Sequence, residues 1–456
     1  MIRRHFVLYL LPLCLASCLA AQDTRTVIEP ILPPVCRTLD AQLQTSGSSL
    51  AAADEQKLDT GRIQKAIDHC GRERAVVLRI DGTNNAFLTG PIELRREVTL
   101  IVGPGVTLYA SRDASLYATS PGSCGIVSHT PGPRGCKPLI WVDHAPGSGI
   151  MGDGTIDGRG GEKMLGSQYS WWDLAEQARS GGGQQVPRII VADYSDDFTL
   201  YRITLKNSPN FHVVYDHGDG FTVWGLKIDT PQRLARNTDG VDPGDGAKDV
   251  TITHSYIRTG DDNVAIKGGA GGATNMTISH DHFYWGHGMS IGSETYGGVG
   301  KIRVSDLSLD GPDNGIRIKS NGSRGGLTED LVYEDVCIRN SPNPITFDTG
   351  YTAAGTLQGN SPPTMRNITL NNVRISGGGK FSFNGYDHDH RIAARLDLVQ
   401  ITDEDKYTYS LNHSDLTLGP RPTNLHFPAG EDSTVSGTPA EGNPASCADK
   451  FVPFPQ

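Results

Sequence analysis

The sequence predicts an all-β fold in which short coils of the chain stack into a parallel β-solenoid. Runs rich in β-branched residues recur along the chain, and apolar and polar residues alternate within each run. The 55 glycines and the charged fraction of only 20% favour turns and strands over exposed helices. Equivalent positions follow one another at intervals of 23, 29, 26 and 26 residues: Thr199, Thr222, Thr251, Thr277 and Arg303.

These intervals correspond to one strand-rich coil of about two dozen residues, as a β-solenoid requires. The runs lack the apolar spacing of three and four that a helical repeat needs. Few hairpin turns follow them, which argues against a sandwich. In a solenoid, each strand pairs with its counterpart in the next coil, about 4.8 Å away. The runs begin at Asp197, Gly220, Asp249, Asn275, Lys301 and Arg366.

Residues 1–21 have the features of a signal peptide. Arg3 and Arg4 form a positive end, an apolar stretch follows, and small residues around Cys18 offer a cleavage site. The apolar stretch is too short to span a membrane. The same segment is compatible with a lipoprotein signal at Cys18 or with a twin-arginine signal. We therefore expect a secreted protein, extracellular or periplasmic, with residues 22–456 as a single domain and a lipid-anchored form left open.

Both ends of the solenoid need to be covered. We expect an amphipathic helix over residues 60–71, starting after an N-cap at Asp59, to cover the first coil. Its apolar face is predicted to be Ile63, Ala66, Ile67 and Cys70. The repeat weakens from about Asp403, and we expect the Pro-rich residues 419–456 to form a loosely packed tail over the other end.

The net charge and the cysteines restrict the possible partners. The formal charge of -10 argues against nucleic acid, which needs a basic face, but leaves an acidic ligand open because local charges set the field in a cleft. The sequence contains no CxxC pair, which argues against a structural zinc site. Six cysteines follow residue 21, and export favours disulfides among them, with 15 pairings open: Cys36, Cys70, Cys124, Cys136, Cys337 and Cys447.

Four polar motifs occur one per coil. Steps of 22, 26 and 30 residues separate Asp239, Asp261, His287 and Arg317, which lie within these motifs. Each motif alone is typical of a turn or of an ordinary strand face. Their shared spacing predicts one column of side chains on one face of the solenoid. The motifs are Asn237-Thr-Asp-Gly240, Gly260-Asp-Asp-Asn263, Gly286-His-Gly288 and Arg317-Ile-Lys319.

This column suits the hydrolysis of an acidic sugar polymer. Glycoside hydrolysis needs a protonated carboxyl for the leaving oxygen and an ionised carboxylate to activate water. Crowding three carboxylates raises the proton affinity of at least one of them. Arg317 and Lys319 lie two residues apart on a strand, so they point the same way and could bind a substrate carboxylate.

In this order, the four motifs resemble the signature of the polygalacturonases, family 28 of the glycoside hydrolases. The resemblance implies a right-handed parallel β-helix that hydrolyses polygalacturonate, the de-esterified form of pectin, with inversion and without a metal or cofactor. Further stretches that resemble bacterial endo-acting members are Gly152–Gly158, Ser170–Asp173, Ser208–Val214, Ala235–Pro243, Gly260–Lys267 and Gly286–Glu294.

The resemblance also implies a role for each site residue. Asp261 is implied to be the general acid, and Asp239 and Asp262 to hold and activate the attacking water. His287 is implied to support protonation of the acid. Substrate contacts are expected from Arg317, Lys319, Tyr351, Asn237 and Lys267.

The resemblance supports two disulfides, Cys36–Cys70 and Cys124–Cys136, of which the second closes a short loop. Cys337 follows apolar strand residues, so we expect it to be a buried free thiol. Its pairing with the distant Cys447 is the alternative.

Three other functions fit parts of the pattern. A pectate lyase shares the solenoid but needs a calcium cluster and an arginine base, and the cationic pair beside the aspartates argues against it. A non-enzymatic adhesin or carbohydrate-binding module would release no sugar. Within the family, an exo-acting enzyme or a rhamnogalacturonan hydrolase is the alternative. Arg317 and Lys319 favour galacturonate, and the match to endo enzymes favours internal cleavage. We expect a monomer.

Overall fold

The β-branched runs of the sequence form strands that pair in parallel with their counterparts one coil later. A computed structural model describes residues 22–47, 49–130, 132–352 and 360–455. Its strands form two large parallel sheets of 20 and 11 strands. The positions expected to be equivalent do face one another: Thr199 pairs with Thr222, Thr222 with Thr251, Thr251 with Thr277, and Thr277 with Arg303. The fold is the predicted right-handed parallel β-helix.

The strands are numbered in chain order. The first half contains β1 (Val35–Asp40), β2 (Thr45–Ser46), β3 (Ser49–Leu50), β4 (Arg74–Arg79), β5 (Ala86–Thr89), β6 (Ile92–Glu93), β7 (Val98–Val102), β8 (Thr107–Ala110), β9 (Ile126–Ser128), β10 (Ile140–Asp143), β11 (Gly149–Met151), β12 (Thr155–Asp157), β13 (Gly183–Gln185), β14 (Ile190–Asp193), β15 (Phe198–Tyr201), β16 (Thr204–Lys206), β17 (Val213–Asp216), β18 (Asp219–Trp224) and β19 (Lys227–Asp229). The second half contains β20 (Val241–Pro243), β21 (Ala247–Thr253), β22 (Tyr256–Arg258), β23 (Val264–Ile266), β24 (Ala273–Phe283), β25 (Met289–Gly292), β26 (Val299–Asp310), β27 (Asn314–Lys319), β28 (Leu327–Arg339), β29 (Asn343–Asp348), β30 (Thr364–Ser376), β31 (Gly379–Asn384), β32 (Ile392–Ile401), β33 (Tyr407–Asn412), β34 (Ser414–Leu418) and β35 (Thr434–Ser436).

The coils turn at corners where the backbone adopts left-handed conformation. One such corner divides each coil of the 20-stranded sheet into two faces, and from β24 onward a single long strand runs through it. Asn and Asp tolerate this conformation better than most residues, which fits the later coils. The residues at this corner have φ between 50° and 66°: Arg202, Gly225, His254, His280, Asp306, Asp335, Asn372 and Leu398.

The interior of the coils is a continuous apolar core. Side chains that point inward stack on the same position of the next coil, as Phe198 does on Phe221 with ring centroids 5.5 Å apart. In the 11-stranded sheet, Ile190, Val213 and Val241 form such a column and are fully buried. Because the inward positions are fixed by this packing, the alternate positions are held facing outward.

Two α-helices accompany the strands in the described ranges, α1 (Thr60–Asp68) and α2 (Trp171–Gln177). Helix α1 ends three residues earlier than predicted, and Ile63, Ala66 and Ile67 bury the expected face in the core. Asp59 is the N-cap residue, as expected, but its carboxylate makes no capping hydrogen bond and instead accepts hydrogen bonds from Arg62 and from the backbone N–H of Leu88. The role of α1 in covering the first coil stays a prediction.

Helix α2 begins with a capping box between Ser170 and Asp173. Short 3₁₀ turns occur at Ala52–Asp54, Ala114–Leu116, Ala178–Ser180, Glu404–Lys406 and Ala448–Lys450. No helix in the described parts of the chain is long and apolar enough to cross a membrane.

The two expected disulfides, Cys36–Cys70 and Cys124–Cys136, are both formed. The expectation of a free thiol at Cys337 is wrong, because Cys337 is buried in β28 but bonded to Cys447. The sequence did not indicate this bond because 110 residues separate the two cysteines.

The C-terminal segment also differs from the expectation. The coil repeat continues past Asp403, because β33 pairs with β31 and β34 with β32. Between β34 and β35, Leu425 is buried in the core and the ring of Phe427 packs on Phe383 and Tyr409 of the last coils. The residues that follow β35 then run back along the outer face of earlier coils, where the backbone oxygen of Val452 accepts a hydrogen bond from Tyr284 and the ring of Phe454 packs on Arg258.

Candidate active site

The described structure brings the predicted site residues together on the 11-stranded sheet. Register along this sheet pairs Val241 with Val264, Val264 with Met289, and Met289 with Ile316. Each polar motif lies just before or within one of these successive strands, so its side chains project from neighbouring coils. The residues in this column are Asp239, Asp261, Asp262, His287, Arg317 and Lys319.

Asp261 forms an ion pair with a histidine. Its Oδ1 lies 2.9 Å from Nδ1 of His287, and Nε2 of His287 lies 3.4 Å from the Asp313 carboxylate. Burial opposes the charge on His287, but the hydrogen bonds to Asp261 and Asp313 outweigh it and raise the pKa of His287 to about 10. Burial likewise opposes the charge on Asp261, yet the contact with His287 holds the pKa of Asp261 well below its usual range. In the free site, this pair is therefore a carboxylate and an imidazolium.

Asp262 is held by cations and a hydroxyl. Lys319 Nζ lies 2.6 Å from its Oδ2, Arg317 Nη1 lies 3.4 Å from its Oδ1, and the Ser290 hydroxyl donates to Oδ1 at 2.7 Å. Burial alone would raise the pKa of Asp262, but the charge of Lys319 is the main cause that lowers it below the usual value. Asp262 is thus an ionised, firmly oriented carboxylate.

Asp239 shares one lysine with a second buried carboxylate. Lys267 Nζ lies 3.1 Å from Asp239 Oδ2 and 2.5 Å from Asp242 Oδ2. Burial is the main cause that raises the pKa of both aspartates, that of Asp242 to about 6, and Lys267 only partly offsets it. One ammonium cannot balance two buried carboxylates, so this pair retains a proton more readily than Asp262 does.

These groups line an open depression of about 310 Å³. Tyr351 lies at its edge, where Arg317 and Lys319 approach the Tyr351 ring at 5.2 and 5.1 Å. Asn237 also lines the depression. All nine predicted site residues therefore lie in or directly beside one cleft. The lining consists of Phe211, Asn237, Asp239, Asp261, Asp262, Lys267, Gly292, Ser293, Glu294, Lys319, Arg324 and Tyr351.

Several residues of the site were missed from sequence. Asp242 follows Asp239 by three residues in a stretch that carries the resemblance, and this spacing was the available signal. Ser290 and Phe211 also lie in such stretches, but nothing distinguished them from structural residues. Asp313 lies 26 residues after His287 and showed no recognisable motif.

Three groups of the site have the geometry to hold a metal ion. Ligand atoms of Asp261, Asp262 and His287 lie within 4.8 Å of one another. Each of them already has a partner, because His287 faces Asp261 while Lys319 and Arg317 face Asp262. A cation entering here would be repelled by three positive groups, which makes this cluster a poor fit for calcium or zinc.

Other depressions in the described structure are larger, but their residues suit catalysis less well. Two of these depressions have volumes of about 480 and 440 Å³. Another, of about 420 Å³, contains Asp157 and Lys206 on β12 and β16. None of the three combines several buried carboxylates with opposing cations in register. Chemistry rather than size therefore identifies the cleft on the 11-stranded sheet.

A parallel β-helix with an open cleft of paired acidic and basic groups defines a polysaccharide-cleaving enzyme, and comparisons with known proteins specify which. Residues 103–413 match the model of the glycosyl hydrolases family 28. An endo-polygalacturonase of Pectobacterium carotovorum subsp. carotovorum is 42% identical over 84% of this chain and 91% of its own length. A polygalacturonase of Ralstonia nicotianae is 36% identical over 94% of this chain and 92% of its own length.

The solved structure of a polygalacturonase from Erwinia carotovora ssp. carotovora matches with a TM-score of 0.79 and 40% identity. The match covers 87% of this chain and all of that one. The chain therefore belongs to glycoside hydrolase family 28, the family of the polygalacturonases.

Proposed function

We propose that the protein is an endo-polygalacturonase, which hydrolyses the internal α-1,4 bonds of de-esterified pectin with inversion. The observation that carries the proposal is the juxtaposition of Asp239, Asp261 and Asp262 with the cationic pair Arg317 and Lys319 in one cleft. Three carboxylates supply acid and base, and the cations supply a binding site for the carboxylate of a galacturonate. The 42% identity to an endo-acting relative supports internal cleavage.

In this proposal, Asp262 and Asp239 act on the attacking water. Asp262 is ionised and fixed by Lys319 and Ser290, so it is ready to accept a proton from water. Asp239, one coil away, orients the same water. The water then attacks the anomeric carbon on the face opposite the leaving oxygen, and the configuration inverts.

Asp261 acts as the proton donor, although the free site holds it as a carboxylate. The proton comes from His287, whose Nδ1 lies 2.9 Å from Asp261. In the free cleft, His287, Arg317 and Lys319 already face carboxylates of the protein, so an incoming galacturonate carboxylate adds negative charge near Asp261. This charge raises the proton affinity of both members of the pair, and exclusion of water by the bound substrate favours the neutral form, in which the proton of His287 has moved to Asp261.

The time course of products from polygalacturonate tests the proposal. We expect a ladder of oligomers at early times, and the α-linked substrate should first release a β-anomer, visible by proton NMR. Monomer or dimer alone from the first minutes would contradict internal cleavage. An unsaturated, ultraviolet-absorbing product would indicate a lyase instead, and chelation of divalent cations should leave the rate unchanged.

We also propose that the protein is exported and acts as a monomer of one domain. The signal-like residues 1–21 and the three disulfides support export, because disulfides persist outside the reducing cytosol. The first described contacts of the chain are made at Asp23, which bonds to Thr251 and Thr277. Residues just after the predicted cleavage point are therefore part of the folded body.

A further inference from the structure

The column of catalytic residues continues toward the N-terminus and contains an arginine. Ile190, Val213 and Val241 pair in register on β14, β17 and β20. Two residues before each of them lie Arg188, Phe211 and Asp239 respectively. Arg188 therefore occupies the position equivalent to Asp239, two coils earlier and about 10 Å along the solenoid axis.

The contacts of Arg188 orient its guanidinium and leave part of it available. Its Nε donates to Oδ1 of Asn210 at 3.3 Å, and its Cζ lies 4.6 Å from the centroid of the Phe211 ring. Lys267 approaches the same ring at 4.0 Å, and Phe211 lines the catalytic depression. Among the described residues, no hydrogen-bond partner is found for either Nη atom and no carboxylate lies within 4 Å.

The electrostatic surroundings of Arg188 are unusual for a half-buried arginine. Burial, and then the positive charge of Arg134 on the preceding loop, lower the pKa of Arg188 to about 9. Asp242, Asp216 and Asp239 oppose this effect only from a distance. Arg134 is itself exposed and has no ion-pair partner in the described chain. Two neighbouring cations without a counter-ion repel each other until an anion binds between them.

We propose that Arg188, assisted by Arg134, binds the carboxylate of a second galacturonate unit, two coils away from the catalytic aspartates. This inference rests on the proposed function and specifies its substrate: an extended chain with a free acid at this unit as well as at the cleavage point. A guanidinium with both Nη groups free matches a carboxylate in bidentate fashion. A methyl ester carries no charge, so esterification of this unit should weaken binding.

Substitution of Arg188 tests the inference. Arg188→Gln should raise KM for polygalacturonate about tenfold to a hundredfold with little change in kcat, because the contact is the same in the ground and transition states. Arg188→Lys should recover part of the loss. Arg134→Gln, at an exposed residue, should raise KM by a smaller factor and carries the test alone if Arg188→Gln does not fold.

The matched control is Arg202→Gln. Arg202 also lies over an aromatic ring, at 5.9 Å from Tyr201, but on a corner of the 20-stranded sheet. Its loss should leave KM unchanged. An unchanged KM in both cleft variants, or a fall in kcat at constant KM, would overturn the inference.

Calorimetry separates this inference from the proposed function. Hexagalacturonate binding is measured with Asp261→Asn and with Asp261→Asn combined with Arg188→Gln. We expect Kd to rise about tenfold to a hundredfold in the double variant. Equal affinities overturn the inference whether or not the wild type hydrolyses the polymer. Absence of hydrolysis by the wild type counts against the proposed function alone.

Discussion

At the scale of single residues, the cleft is a set of buried charges that face groups of opposite charge. Asp262 and Asp261 each have a cationic partner, and Lys267 serves both Asp239 and Asp242. Removal of one member leaves an opposing buried charge without a partner, which is more costly than the loss of a surface pair. These contacts give Asp239, Asp261 and Asp262 different proton affinities, which allows the three carboxylates the different roles that we propose.

The first prediction assigns the proton donor. Asp261→Asn should lower kcat on polygalacturonate by about a hundredfold to ten-thousandfold while largely preserving binding, since the leaving oxygen loses its acid. An activated aryl galacturonide, whose leaving group needs no proton, should restore part of the rate. Asp239→Asn and Asp262→Asn should remain slow on both substrates. Rescue of Asp262→Asn but not of Asp261→Asn would show that the two neighbours have exchanged roles.

The second prediction concerns pH. Asp313→Asn removes one acceptor from His287, so the pKa of His287 should fall from about 10 and the alkaline limb of kcat/KM should move to lower pH, by roughly one pH unit. The pH–rate profile and an NMR titration of His287 measure this. Asp387→Asn breaks the comparable contact with His390 near the C-terminus and should leave the alkaline limb in place.

Stability should depend on the same histidine. The folded pKa of His287 is raised above its ordinary value of 6.5, so the folded state binds this proton more tightly than the unfolded chain. The resulting stabilisation is fully present below about pH 6.5 and is lost as the pH rises toward about 10.

An Asp313→Asn variant that kept the wild-type alkaline limb of kcat/KM would contradict the proposed proton supply through His287.

At the scale of elements, long-range attachments fix segments that the coil repeat alone does not hold. The C-terminal segment returns along the outer face of the 20-stranded sheet and is tied to β28 by Cys337–Cys447. Lys450 reaches Asp306 and Asp335, and Phe451 packs on Arg339. These contacts lie on a different face from the column of candidate site residues, so we expect the segment to affect stability rather than catalysis.

The third prediction follows from this attachment. Cys447→Ser opens a loop of 110 residues and should lower the free energy of unfolding by about 4–5 kcal/mol, whereas Cys124→Ser, in a loop of 12, should cost about 3 kcal/mol. Urea denaturation measures both values. Limited proteolysis should cleave the released segment first, and hydrolysis of polygalacturonate at low temperature should persist. A Cys447→Ser variant as stable as the wild type would contradict the attachment.

At the scale of the whole molecule, the solenoid places one residue from each coil in the same column on its surface. Parallel pairing repeats about every 4.8 Å, so a linear polymer can meet one side chain per coil. The net charge of -10 repels a polyanion at a distance, so binding depends on the few cations of the cleft. In our proposals, Lys319 and Arg317 bind the substrate at the cleavage point, and Arg188 binds a carboxylate two coils away.

The fourth prediction concerns the exported form. Mass spectrometry of the protein recovered outside the cytoplasm should show a chain that begins at residue 22 and contains three disulfides. Cys18→Ser should be processed in the same way. A modified N-terminal Cys18 that is lost in Cys18→Ser would instead demonstrate the lipid-anchored form. Light scattering should give the mass of one chain, and a dimer would contradict the monomer proposal.

Periodicity and motif spacing were sufficient to predict the fold and most of the site. Thr199, Thr222 and Thr251 form a column because apolar and polar residues alternate within each strand and because the coils have similar lengths. Both features can be read from short stretches of the sequence. For the same reason, Asp239, Asp261 and His287 could be placed in one column from their intervals alone, because residues one coil apart must lie above one another.

Only the tertiary structure decided the features that depend on where distant segments meet. The bond between Cys337 and Cys447 needs the C-terminal segment to return over 110 residues, and no periodic signal predicts that path. The contact between Asp313 and His287 is likewise visible only in the folded chain. The same holds for Arg188, which has no counter-ion among its described neighbours. A repeat fixes which residues share a column. Packing between non-repeating loops determines their partners and therefore their charge.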